Sequence, residues 1–362
     1  MKNAAATAYI RELCSLELTG QLLIPALLAA LHRVIPSARN LFDWVNAEGH
    51  IQRYYFEGPI DLRVARLYFD QFHNQREADA MPKFVDVIRG SAAVRSAEEL
   101  NSRHFFDSAL FNEIWRPQRL HYRLEGIVRS RDGKPLGSLV LYREQGERIF
   151  GKPDEQTLQV LLPYVAHGLV HGKERQVNYA EGDQRAALVS LDALGRIVHL
   201  SPNGHKLLLL AHGDISPASA ARQPITEDFP TLALLHRRLS HRDGLEPARC
   251  AVTVTNTWGR FEFRAEHLAP VGVPDQALIG VAVRHLVPRE VHDLVSIESH
   301  PLSIAQKKVC ALLLQGLSQP QIALRLGVLN STVTDHVRKV YVKLDVHSVG
   351  ELRARFAERS SA

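Results

Sequence analysis

Within residues 302–356 the sequence starts and stops four short helices, and that punctuation leaves few folds open to the stretch. Ser303 precedes Ile304-Ala305-Gln306, a capping box in which serine and glutamine side chains serve each other's backbone amides. The helix it opens carries Val309, Leu312 and Leu313 and stops at Gly316. Ser318 and Gln321 repeat the box, and the second helix carries Ile322, Ala323 and Leu326. It ends at Gly327, which takes the left-handed conformation without steric cost. Asn330 or Ser331 opens a third helix, and Ser348 with Glu351 opens a fourth. On the third, Val333, Val337, Val340, Tyr341 and Leu344 recur at helical spacing as one apolar stripe. A short helix, a tight turn and a longer striped helix make a helix-turn-helix. The face opposite the stripe carries Thr334, Asp335, Arg338, Lys339 and Lys343. Hydrogen-bonding groups at its start and cations along its length suit a DNA major groove and its phosphates.

Charge points the same way. The chain holds 44 Lys and Arg against 39 Asp and Glu, a net +5. Beyond residue 300 there are nine basic and four acidic side chains, so the whole excess lies there and the rest is balanced. A neutral body with a basic end reads as a sensor joined to a polyanion binder, or as a helical cap with a solvated basic face.

The tail resembles the LuxR-type (GerE or FixJ-type) DNA-binding domain. The residues that carry the likeness run in order without gaps: Leu302-Ser303, Val309, Leu314-Gln315-Gly316-Leu317-Ser318, Ile322-Ala323, Leu326-Gly327-Val328, Thr332-Val333, His336-Val337, Tyr341 and Lys343-Leu344. The resemblance implies that Thr334, Asp335 and Arg338 face base edges, while Ser331, Thr332, Lys339 and Lys343 hold phosphates. Asp335 either accepts from cytosine N4 or orients Arg338 one turn on. Val349, Leu352 and Phe356, on one side of the fourth helix, resemble the family's dimer contact. Departures affect the operator rather than the fold. Ala305-Gln306 and Lys308 stand where the family has Arg-Glu and a later Glu. Leu329 replaces a serine, and Thr334 replaces a lysine whose lost charge Lys307 and Lys308 partly restore if they reach DNA.

At roughly 150 residues per domain, 362 residues give two or three domains. With 45% apolar and 23% charged residues the chain is not a disordered one. Two further segments precede the tail. In the first, helical spacing at Leu22–Leu31 is followed by strands at 41–46 and 51–56 around Ala47-Glu48-Gly49. Helical stretches near Val64–Phe72 and 81–88 come next, then strands at 120–128 and 136–141 around Arg131-Asp132-Gly133-Lys134-Pro135. Asp154 is placed to cap a closing helix that Pro163 bends. Residues 170–185 are polar and read as a linker. The second segment offers strands at 187–191 and 196–200, a helix capped by Ser201-Pro202, a helix near 232–239, and strands at 250–255, 260–267 and 277–285. Trp258-Gly259 turns between the first two of those three strands, and Pro270 to Pro274 lie before the third. Pro288 closes the segment and residues 289–298 form a short polar bridge.

The expected fold is therefore multidomain: two α+β sensor-type domains, one similar to GAF and one to PAS folds, then an all-α four-helix LuxR-type helix-turn-helix domain. The expected boundaries are 1–175, 183–288 and 298–362. Neither front segment alternates strand and helix as a phosphorylated receiver would. The expected partners are double-stranded DNA, a second copy of the chain, RNA polymerase, and a small-molecule or protein signal at the front domains.

Trp44, Tyr54, Tyr55, Phe56 and Trp115 either line a ligand pocket or form core. His236 either ligates haem or lies exposed, and His292-Asp293 is either half of a metal site or solvated linker. No GxSxG, phosphate-binding glycine loop or Cys-His setting marks an enzyme, so a non-enzyme without cofactor or metal is expected. The longest apolar run, Leu22 to Leu31, is about half a bilayer span, and Cys14, Cys250 and Cys310 form no paired motif. A cytoplasmic, reduced protein without membrane contact is the expectation. An interaction-controlled regulator without a small ligand, and an enzyme with an appended nucleic-acid-binding domain, remain the alternatives.

Overall fold

The computed structural model describes residues 2–180, 185–213, 215–220, 229–240, 250–269 and 278–358. Helices α1 (Lys2–Cys14) and α2 (Gly20–Leu31) lead into the hairpin β1 (Arg39–Val45) and β2 (Ile51–Phe56). Short helices α3 (Leu62–Leu67) and α4 (Phe84–Arg89), the two-residue strand β3 (Val94–Arg95), and helices α5 (Ala97–Leu100) and α6 (Arg103–Asp107) follow. A second hairpin, β4 (Tyr122–Arg129) and β5 (Pro135–Arg143), precedes α7 (Lys152–His171). The five strands form one antiparallel sheet in the order β2-β1-β5-β4-β3.

Alternation along the strands divides this sheet between two coverings. Phe42, Leu124, Leu139 and Leu141, all fully buried, face the layer of α1, α2 and α7. The other face, with Asp43, Tyr54, Arg123 and Glu125, lies under the segment from α3 to the start of β4. Gly168 lets α7 approach its neighbours: a Cβ there would lie 2.5 Å from Leu23 Cδ2 and 3.1 Å from Cys14 O. Asp154 is not the cap residue of α7. It occupies the third helical position, where its Oδ2 accepts from Gly151 N at 3.0 Å, and its carboxylate also holds Arg143 and Arg148. The helix continues past Pro163 to His171.

The second unit comprises β6 (Arg185–Leu191), β7 (Ile197–Leu200), α8 (Gly204–His212), α9 (Pro217–Ala220), α10 (Pro230–Ser240), β8 (Cys250–Asn256), β9 (Gly259–Leu268) and β10 (Leu278–Leu286). Its antiparallel sheet runs β7-β6-β10-β9-β8, the strand order of the first sheet again. Val189, Phe261, Phe263 and Val281 point into a core closed by α8 and α10. Ser201 does not cap α8. Its hydroxyl accepts from Leu188 N at 2.9 Å, tying β6 to the chain that follows β7. Pro270–Pro274 lies outside the described residues.

Residues 289–298 are a helix, α11 (Arg289–Glu298), rather than a polar bridge, because Val291, Leu294 and Ile297 share a buried face. That face meets α1 and α12 (Ile304–Leu314). Then come α13 (Gln319–Leu326), α14 (Asn330–Leu344) and α15 (Val349–Glu358). The stretch read as a linker also packs. Lys173 N donates to Glu17 O at 3.0 Å, Arg175 pairs with Glu290 at 2.9 Å, and Tyr179 bridges to Pro288. The two sheet units meet where Trp258 packs against Trp44 and Tyr55, with ring centroids 5.7 and 6.0 Å apart. Among the described residues no helix is long and apolar enough to cross a membrane.

Candidate nucleic-acid interface

The reading face depends on how α14 is held. Val333, Val337, Val340 and Leu344 are buried against α12 and α13, and Tyr341 is half-buried beside them, as the stripe requires. Ser303 N donates to Gln306 Oε1 at 3.0 Å and Gln306 N donates back to Ser303 Oγ at 3.3 Å. Ser318 N donates to Gln321 Oε1 at 2.8 Å, fixing the start of α13. Gly327, at φ +64° and ψ +36°, ends α13 in the left-handed conformation and turns the chain into α14. Helix α14 begins at Asn330, with the exposed Leu329 in the cap position and no side-chain cap on its first amides. Uncapped amides and the positive end of the helix dipole therefore point outward beside Ser331 and Thr332, an arrangement that suits an anion.

The expected base-reading and phosphate-holding residues occupy one face, and the structure adds their partners. Thr334 Oγ1 donates to Gln319 Oε1 at 2.8 Å, joining the first turns of α13 and α14. Asp335 Oδ2 holds Lys339 Nζ at 2.6 Å, whereas Arg338 Nη2 stands 3.9 Å from Asp335 Oδ1. Asp335 thus leans on Lys339 more than on Arg338, and the Lys339 hydrogen bond holds its carboxyl below the usual range. The Arg338 side chain is 79% exposed. Lys343, expected on a phosphate, turns back into the protein, with Nζ 3.0 Å from both Pro301 O and Gln306 Oε1. Lys307 and Lys308, the candidates to restore the charge absent at Thr334, are both engaged within the protein. Lys307 pairs with Glu298 of α11 and Lys308 with Glu12 of α1, each at 2.9 Å.

Of the expected dimer contacts, Leu352 and Phe356 are buried within the chain, and Val349 is half-buried. Phe356 packs on the His300 ring at 5.2 Å. The outer side of α15 presents Glu351, Arg353 and Arg355.

Residues 300–355 match the bacterial regulatory proteins of the luxR family. They form a LuxR-family domain. No curated protein matches the chain. Among solved structures, VqmA of Vibrio cholerae, described as a dimer and a LuxR-type receptor, is 14% identical. It covers 48% of this chain and 83% of its own, with a TM-score of 0.19. A phage VqmA–DPO complex is 15% identical over 50% of this chain and 85% of its own, with a TM-score of 0.21. A chain of the E. coli DhaR(N)–DhaL complex is 12% identical over 76% of this chain and 86% of its own, with a TM-score of 0.25.

The units in front of the LuxR-family domain divide the other candidate residues. Tyr54, Phe56 and Trp115 line a cavity in the first unit, while Trp44 and Tyr55 face the opposite side of the sheet and Trp258. His236 is near the surface, with Nε2 3.1 Å from Ala193 O. His292 is buried on α11 rather than solvated. The charged cavity residues Asp43, Arg95, Arg123 and Glu125 escape a reading of the sequence. Their only signal is charge at alternate positions of strands that prove to be covered on both faces.

Proposed function

We propose that the chain is a transcription regulator that reads a pseudo-palindromic operator in double-stranded DNA through α14. The observation that carries this reading is one exposed face, Ser331, Thr332, Thr334, Asp335, Arg338 and Lys339, on the second helix of a helix-turn-helix in a LuxR-family domain. Arg338, Thr334 and Asp335 meet base edges; Ser331, Thr332, the open first turn of α14 and Lys339 meet phosphates. Lys343 contributes only if it leaves Pro301 and Gln306. Two copies present their α14 helices about one DNA turn apart. Because Leu352 and Phe356 are internal, the copies join through other surfaces than those side chains.

In this reading residues 1–175 are a GAF-like input domain, 183–288 a PAS-like one and 298–362 the output domain. The repeated strand order supports the pairing of the first two. A small-molecule or protein signal at these domains shifts the population of DNA-competent dimers, and RNA polymerase is the downstream partner.

Sequencing the fragments that the full chain retains from genomic DNA yields the operator. Against it, Arg338→Ala should lose about 1–3 kcal/mol of discrimination over random DNA. An equal loss on both DNAs removes Arg338 from base reading.

A further inference from the structure

The first sheet has a cavity of about 140 Å³ on the face away from α7. A void of roughly 150 Å³ in an engineered protein core accepts benzene, so this one has room for a single ring. Its walls are largely apolar and aromatic, among them Tyr54, Phe56, Tyr68, Phe69 and Trp115. Four charged groups reach it from the sheet, where Asp43 of β1, Arg123 and Glu125 of β4, and Arg95 of β3 share one face, and a fifth, Asp61, lines it from the start of α3, where its carboxylate accepts from Arg63 N and Val64 N.

These four are not equally satisfied. Glu125 accepts from Ser138 Oγ at 2.9 Å and pairs with Arg95 at 3.2 Å. The guanidinium of Arg123 stacks over the rings of Phe105 and Trp115, at 4.6 and 5.5 Å from their centroids, with Met81 Sδ at 2.7 Å. Asp43 is 5% exposed, yet among the described residues its carboxylate has no hydrogen-bond or ion-pair partner. A buried polar group with no partner costs on the order of 1–3 kcal/mol, and more if charged.

We propose that this cavity binds a small organic cation, one aromatic or similarly sized apolar ring bearing an ammonium whose N–H groups donate to Asp43. The ring fills the aromatic chamber and the ammonium supplies the hydrogen bonds that the protein withholds from the carboxylate. An anion would face Asp43, Glu125 and Asp61 and find Arg95 already paired with Glu125 and Arg123 stacked on two rings, and a neutral ring would leave Asp43 as it is. Burial and the nearby Glu125 hold the Asp43 carboxyl well above the usual carboxylate range. Without a cation beside it the acid keeps its proton, and an ammonium at hydrogen-bond distance lets it ionise. Binding here is felt at the seam with the second unit. Tyr54 N donates to Ile215 O at 2.8 Å, and Lys206 Nζ donates to Phe56 O at 3.3 Å and Gly58 O at 2.6 Å.

The test is calorimetric titration of the full chain with benzylamine, 2-phenylethylamine, benzyl alcohol and benzoate. At least one amine should bind saturably and ten times or more tighter than the alcohol and the acid. Asp43→Asn should erase that preference while leaving benzyl alcohol within about threefold. Ala65→Phe, which fills the chamber from α3, should abolish binding of every probe in a protein that circular dichroism shows to be folded. No saturable amine binding to the wild type, an amine preference that survives Asp43→Asn, or amine binding that survives Ala65→Phe overturns the proposal. The site is argued without reference to DNA, and operator binding by the same preparation decides the regulator reading separately.

Discussion

Lys343, near the end of α14, has two competing uses, a phosphate contact or a tie within the protein. Its ammonium bridges Pro301 O and Gln306 Oε1, both at 3.0 Å, and so pins the end of α14 to the start of α12. Bonds from a charged donor contribute about 1–3 kcal/mol when partly shielded. Lys343→Ala should therefore lower the stability of the protein by about 1 kcal/mol in urea unfolding. It should leave the slope of log affinity against log salt unchanged, whereas a phosphate contact would lower it by about one unit. This tie is invisible along the sequence because both acceptors lie far upstream and meet Lys343 only after the helices pack. Thr334, Arg338 and Lys339 were legible because one helix face can be read from spacing alone. Asp43 was not, since an acid in an alternating strand reads as solvent-facing until a second layer covers it.

At the scale of elements, turns were readable and close approaches were not. Gly49 and Gly133, at φ +85° and +83°, stand in the two hairpin turns that their neighbours announced. Strand β3 is two residues long, too short for alternation to show, and α11 hides three apolar positions among charged ones. Gly168 sets propensity against packing within one residue. In a helix interior, alanine is favoured over glycine by about 1 kcal/mol. Here the added methyl would stand 3.1 Å from the backbone oxygen of Cys14, which cannot swing aside, and 2.5 Å from Leu23 Cδ2. Overpacking of this kind costs about 1–3 kcal/mol. Packing should win: Gly168→Ala is expected to destabilise the protein by about 1 kcal/mol net, read as a lower urea midpoint with an unchanged slope. A raised midpoint would show that α1 and α2 yield.

For the molecule as a whole, acid is the expected weakness. Burial pushes both His73 and His205 down to about 4 from an ordinary 6.5. A base whose folded pKa is depressed favours the folded state while both states are neutral. That advantage is complete above pH 6.5 and is lost as pH falls from 6.5 to about 4. Each histidine accounts for on the order of 3 kcal/mol across that window. These two rings should pull the urea midpoint down between pH 6.5 and 4.5, against the opposite pull of Asp43 and Glu77, whose raised carboxyls favour the folded state in acid, and His205→Leu should lessen the fall. A fall in His205→Leu as large as in the wild type would mean that the His205 ring titrates as if exposed.

The pairing of Glu12 with Lys308 joins the first helix to the last domain across almost the whole chain. During synthesis the N-terminal helix leaves the ribosome long before its partner exists, so this face of α1 must wait in water while both sheets form. Docking of the LuxR-family domain against α1 then comes after both sheets have formed. A nascent chain that stalls before α12 would carry both finished sheet units but leave the acid of α1 without its partner.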